Sequence, residues 1–145
     1  MKWPRIFTDE RGVSAVEFAV VSPVLAIVIA GMVDGWSYQS SILETRAAVQ
    51  AAAKYVLEGG ADDETARSVA LSAWENRPSD GDVTVNRYCA CGETVSVCSS
   101  LCIDTEKAPA TFVDIKASMS WSGAFQNDWL PVEKSVVEQQ VIRVR

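Results

Sequence analysis

The sequence predicts an α+β protein: a long amino-terminal helix, part membrane span and part amphipathic, followed by a small antiparallel-sheet domain closed by disulfides. Three observations predict it. Val13 to Val33 is a 21-residue apolar run broken by a single charge, Glu17. Apolar residues then recur at helical spacing as far as Leu57, and beyond Ser79-Asp80-Gly81 the period shortens to two. Four cysteines crowd together as C-x-C-x6-C-x3-C at Cys89, Cys91, Cys98 and Cys102.

The chain has 145 residues, room for one domain of ordinary size beside the apolar run. A domain of about 110 residues buries only a modest core, so crosslinks help it. Net charge is −6; residues 1–12 balance to +1 and leave −7 for the remainder. A surface that acidic is repelled by nucleic-acid phosphate, and no basic stripe offsets it, so nucleic acid is not an expected partner. The chain contains no histidine. That removes the commonest general base and the commonest metal ligand, and no credible nucleophile set can be assembled from the Ser and Asp residues. Neither an enzyme nor a resident cofactor is expected.

Residues 1–12 carry Lys2, Arg5 and Arg11 against Asp9 and Glu10. A secretory signal would show a shorter apolar stretch followed by an A-x-A-like site, and neither is present. Residues 13–33 rise about 30 Å as a helix, the thickness of the hydrocarbon core, which predicts a membrane span. Cations precede the run, whereas Asp34 and Glu44 follow it before Arg46. The positive-inside rule then places the amino terminus in the cytoplasm and the carboxy-terminal domain outside the membrane. Trp36 and Tyr38 fall where an outer aromatic belt would lie.

Glu17 is the odd residue, since a carboxylate in hydrocarbon costs several kcal/mol (about 3) unless it is paired or near the interface. Its setting is Arg11-Gly12-Val13-Ser14-Ala15-Val16-Glu17-Phe18, with Pro23 six residues after the glutamate. This stretch resembles the start of TadE-like proteins, a branch of the type IV prepilins found in tight-adherence pili. The resemblance implies a prepilin-type leader, removed by a membrane aspartyl peptidase after Gly12. Val13 would become the new terminus and Glu17 its fifth residue. It further implies that Glu17 pairs in low dielectric with the liberated ammonium of a neighbouring subunit and so guides assembly. Expected partners are the prepilin peptidase, other pilin subunits, the pilus assembly platform and the membrane.

Residues 34–58 are read as the extracytoplasmic continuation of the helix. Ile42, Val49 and Val56 recur at sevens with Ala52, Ala53 and Leu57 alongside, the helix running from about Ser14 to Leu57. It is expected to bend or loosen near Pro23, Gly31 and Gly35, and Gly59-Gly60 ends it. Residues 59–145 form the α+β domain. A second helix is expected from Asp62 or Asp63 to about Asn76, with Ala66, Val69, Ala70, Ala73 and Trp74 on its apolar side. Val83 and Val85, then Val113, Ile115, Ala117, Met119 and Trp121, alternate with polar residues as strands do. A last strand falls within Ser135–Arg145. Helices first and strands after argue for α+β, an order that also resembles the pilin roll.

Outside the cytoplasm an even set of cysteines reads first as disulfides. Zinc knuckles favour C-x2-C pairs, which these are not. Three pairings are open. A hairpin turning at Gly92-Glu93 suits the nested one, Cys91 to Cys98 and Cys89 to Cys102. Asp62, Asp63 and Glu64 read as helix-start acids rather than a cation site.

The functional expectation is a minor pilin or pseudopilin that primes, caps or bridges a tight-adherence pilus, because the major pilins are little more than the helix. The rival expectation is a permanently anchored extracytoplasmic binding or adhesion module.

Overall fold

The computed structural model describes residues 13–103, 105–123 and 133–144. The leader, with Gly12, lies outside the described residues. The first element, α1, is a single helix Val13–Leu57 of 45 residues with Pro23 inside it. An uninterrupted helix of that length rises about 65 Å. Its end follows from the two glycines. Gly59 takes φ 101°, a conformation that side chains resist. Gly60 N–H then donates to Tyr55 C=O at 3.0 Å and Gly59 N–H to Val56 C=O at 3.1 Å. These paired bonds satisfy the last carbonyls of the helix.

Helix α2, Asp63–Ala73, is capped by Asp62, whose carboxylate accepts from Thr65 N–H at 2.7 Å. It stops three residues short of the expected Asn76. Trp74 turns out of the helix with φ −92° and ψ 89° and is buried. Burying that ring is worth more than another half-turn of exposed helix.

Four strands follow: β1 Asp82–Cys91, β2 Thr94–Ser96, β3 Ala110–Ser122 and β4 Glu133–Arg143. They form one antiparallel sheet in the order β2-β1-β3-β4. The chain is thus α+β: a long apolar helix, a short helix and a four-stranded sheet with two disulfides.

The core lies between the helices and one sheet face. α1 lies across β3 and β4, and α2 across β1. Val83, Val113, Ile115 and Ala117 meet Ala48, Ala52 and Val56 with almost no exposure. Alanines at the contact let the helix approach the sheet closely. The buried stripe of α1 is Thr45, Ala48, Val49, Ala52, Ala53 and Val56. Leu57, expected on it, is 64% exposed, because one step of 100° past Val56 turns it off the sheet.

A clamp holds the base of the sheet to α1. Trp121 is buried and its indole N–H donates to Ser37 Oγ at 3.2 Å. Tyr38 meets the Trp121 ring edge-to-face at 5.1 Å, and Lys134 Nζ lies 5.1 Å over Tyr38. Tyr38 is therefore committed to the domain, and of the two expected belt aromatics only Trp36 is exposed.

Candidate functional site

Val13 is the first helical residue of α1 and Glu17 stands four positions later. Residues i and i+4 share a helix face, about 6 Å apart along the axis. Helix formation thus brings Val13 and Glu17 together, while Gly12 is outside the described residues. Glu17 is exposed, and among the described residues no ion pair or hydrogen bond engages it. Its neighbours Val16, Phe18, Val20 and Val21 are exposed as well. The most apolar stretch of α1 has a mean hydropathy of 2.3 and none of it is buried by the rest of the chain. It is long and apolar enough to cross a membrane, and unlike a core helix it has no protein cover. In hydrocarbon a carboxylate would demand a counter-charge.

The second cluster is at the other end of the molecule. The disulfides join Cys89 to Cys98 and Cys91 to Cys102, and all four sulfurs are used. The nested pairing expected above is corrected, and the reason lies in the register of β1 and β2. Gly92-Glu93 is the turn, so Cys91 faces Thr94 and Cys89 faces Ser96. Cys98 sits two residues beyond Ser96, a diagonal neighbour of Cys89. It is four residues beyond Thr94, about 13 Å along a strand from Cys91. The chain then turns at Ser100, whose N–H donates to Val97 C=O at 3.1 Å, and brings Cys102 back to Cys91. The signal for the crossed pairing was present in the two-residue turn, because it sets this register.

Charged side chains brace the domain. Arg87 donates to Asp63 at 2.8 and 3.0 Å, tying α2 to β1. Arg67 bonds Asp82 at 2.8 Å and Val83 C=O at 2.8 Å. Asp80 accepts from the Ser120 hydroxyl and from its N–H. These bonds favour the carboxylate. The Ser120 hydroxyl, then its N–H, holds Asp80 below the ordinary value, and the Arg67 hydrogen bond does so for Asp82. The Thr65 hydroxyl and N–H do the same for Asp62. All three are structural roles. Among the described residues no group of three or more His, Cys, Asp or Glu side chains is arranged to hold a metal.

Residues 12–54 match the family model described as TadE-like protein. The match begins at the glycine before α1, takes in Val13 and Glu17, and ends three residues before the helix does. The amino-terminal resemblance is therefore supported by that comparison, and the sheet lies outside it. No curated protein and no solved structure gives a match.

Proposed function

We propose that this chain is a minor pilin or pseudopilin of a tight-adherence pilus, cut by a prepilin peptidase between Gly12 and Val13. The observation that carries the reading is the TadE-like match over residues 12–54, because it spans the three residues such a role requires. The uncovered apolar helix supports it, since a helix with no cover in its own fold is suited to lipid before assembly and to neighbouring helices after it. Cleavage creates an ammonium on Val13 at the positive end of a helix dipole, where it is unfavourable. A Glu17 carboxylate from an adjoining subunit neutralises it, and two matched charges in low dielectric set the axial register between helices.

In this reading the chain is single-pass in the cytoplasmic membrane, with residues 1–12 in the cytoplasm and the sheet domain extracytoplasmic. Its role is structural rather than catalytic, and its partners are the peptidase, other pilin subunits and the assembly platform. A domain of this size beyond the helix suits priming, capping or bridging better than forming the shaft.

Two measurements test it. Amino-terminal sequencing of the membrane-bound protein should begin at Val13, and an intact Met1 would overturn the reading. Glu17→Ala should leave cleavage and insertion unchanged while lowering recovery in sheared pili at least 100-fold; normal recovery would remove the assigned role. A permanently anchored binding module is the second reading. It is favoured by the domain beyond residue 54, which lies outside the family match, and it is the one left standing if residues 1–12 are retained.

A further inference from the structure

The two disulfides lie beside a groove of mixed polar and apolar lining at the end of the domain farthest from the apolar stretch of α1. Val144 N–H bonds Thr111 C=O at 2.9 Å, and both border one cavity with Val56 and Gly59 at the end of α1. Thr111 pairs with Cys89, so residues 90–103, in the excursion between β1 and β3, project past the helix. At the opposite end Gly123 packs against Asp34. The two levels are separated by about 35 Å of helix.

At this far end Val95 is 75% exposed, Leu101 64% and Ile103 96%. Together with Thr94 and Ser96 they border an open groove of about 340 Å³ between β2 and the Ser100–Ile103 turn. Three large apolar side chains there cannot be explained by lipid contact with the span, nor do they fill the domain core. β2 is also the terminal strand of the sheet, so its outer backbone edge has no strand partner among the described residues. Glu93, Glu106 and Lys107 are all exposed in the flanking turns, two acids to one cation, in a region, residues 59–145, that holds thirteen acids against eight cations.

We infer that this groove is a docking site for an extended segment of another extracytoplasmic protein, one with alternating apolar side chains flanked by Lys or Arg. The segment adds to the free edge of β2 through backbone hydrogen bonds. Its apolar side chains cover Val95, Leu101 and Ile103, and its cations meet Glu93, Glu106 and the acid excess of the domain. The disulfides keep the groove formed in the absence of the segment, which lowers the ordering cost of binding. A second copy of this chain is a poor occupant, because it would bring the same excess of acids. The inference does not depend on filament assembly.

The test uses the full chain in nanodiscs and a fluorescent ten-residue probe of alternating Val and Thr with two Lys at each end. The lysine-flanked probe should bind saturably and at least tenfold more tightly than a glutamate-flanked version, with the difference shrinking as salt rises. N-methylation of alternate amides should weaken it at least tenfold, and so should Leu101→Asp or Ile103→Asp. Non-reduced mass mapping verifies that both disulfides remain in those variants. Val137→Asp, on exposed β4, and Glu17→Ala should leave binding unchanged, which separates this site from the assembly role. Absence of saturable binding, equal binding of both probes, or indifference to Ile103→Asp overturns the proposal. It is equally overturned if Ile103→Asp abolishes self-association or adhesion to added anionic vesicles instead, since the occupant would then be a second copy or a lipid surface.

Discussion

The two halves of α1 are one unbroken helix in two different surroundings. From Ala15 to Gly35 its apolar side chains point outward on every side, and large residues such as Ile27 and Met32 are more than two-thirds exposed. From Thr45 to Val56 the apolar residues narrow to one stripe that the sheet and α2 together cover, with Gln50 and Lys54 on the far side. The difference shows what each half is built to meet. A helix apolar all round needs an apolar surrounding on all sides, whereas a striped helix needs one packed face and water on the other. The change comes at Asp34 to Tyr38, where the Trp121 clamp begins.

A buried charge should separate the halves most sharply. Ala52→Asp places an unpaired carboxylate where exposure is zero, and it should cost more than about 4 kcal/mol, abolishing cooperative urea unfolding of the full chain in micelles. Val24→Asp should leave that unfolding transition intact and instead impair membrane insertion, at a cost of about 3 kcal/mol. Equal damage to the domain from both would break the comparison.

Next in size is the covalent brace. Replacing Cys91 and Cys102 together by Ser should lower domain stability by about 3 kcal/mol with no effect on insertion. Peptide mapping of the unreduced wild-type chain should recover Cys89 with Cys98; a Cys91–Cys98 peptide would refute the crossed pairing. Smaller still, Val56→Ala should cost about 2 kcal/mol in urea unfolding, while Val28→Ala in the span should change it by less than about 0.5 kcal/mol.

The smallest effect is that of acid. Asp62, Asp80 and Asp82 are all held below the ordinary aspartate value of 3.8 in the fold. Carboxylates lowered in this way stabilise the folded state above their unfolded value and lose that contribution as pH falls through and below it. The urea midpoint should therefore decline as pH drops from 5 toward 3, and Asp80→Asn should flatten the decline. A midpoint that rises on acidification would contradict these assignments.

Much of the fold was legible locally. Gly59-Gly60 marked the end of α1, because only a residue tolerant of positive φ closes a helix in that way. The strict alternation of Val113, Ile115 and Ala117 marked β3 and its buried face. Less legible were α2, which ends early because Trp74 is drawn into the core, and Tyr38, whose belt-like position concealed a partner 83 residues away in Trp121. The amino-terminal resemblance could be stated from the sequence because it depends on short spacing alone, and the TadE-like match over residues 12–54 supports that resemblance. The groove bordered by Val95, Leu101 and Ile103 was not legible, since single apolar residues in a loop reveal exposure only once their surroundings are placed.

By itself the sequence determined the apolar stretch, the helix that extends it, the positions of the long strands and the commitment of four cysteines to one short segment. Each of these follows from periodicity or spacing among near neighbours. The tertiary structure decided which sulfurs meet, which side of α1 is covered, where Tyr38 goes and which apolar side chains are left outside. Those outcomes depend on strand register and on the meeting of distant surfaces, and a local pattern states what a segment needs to bury without stating what will bury it.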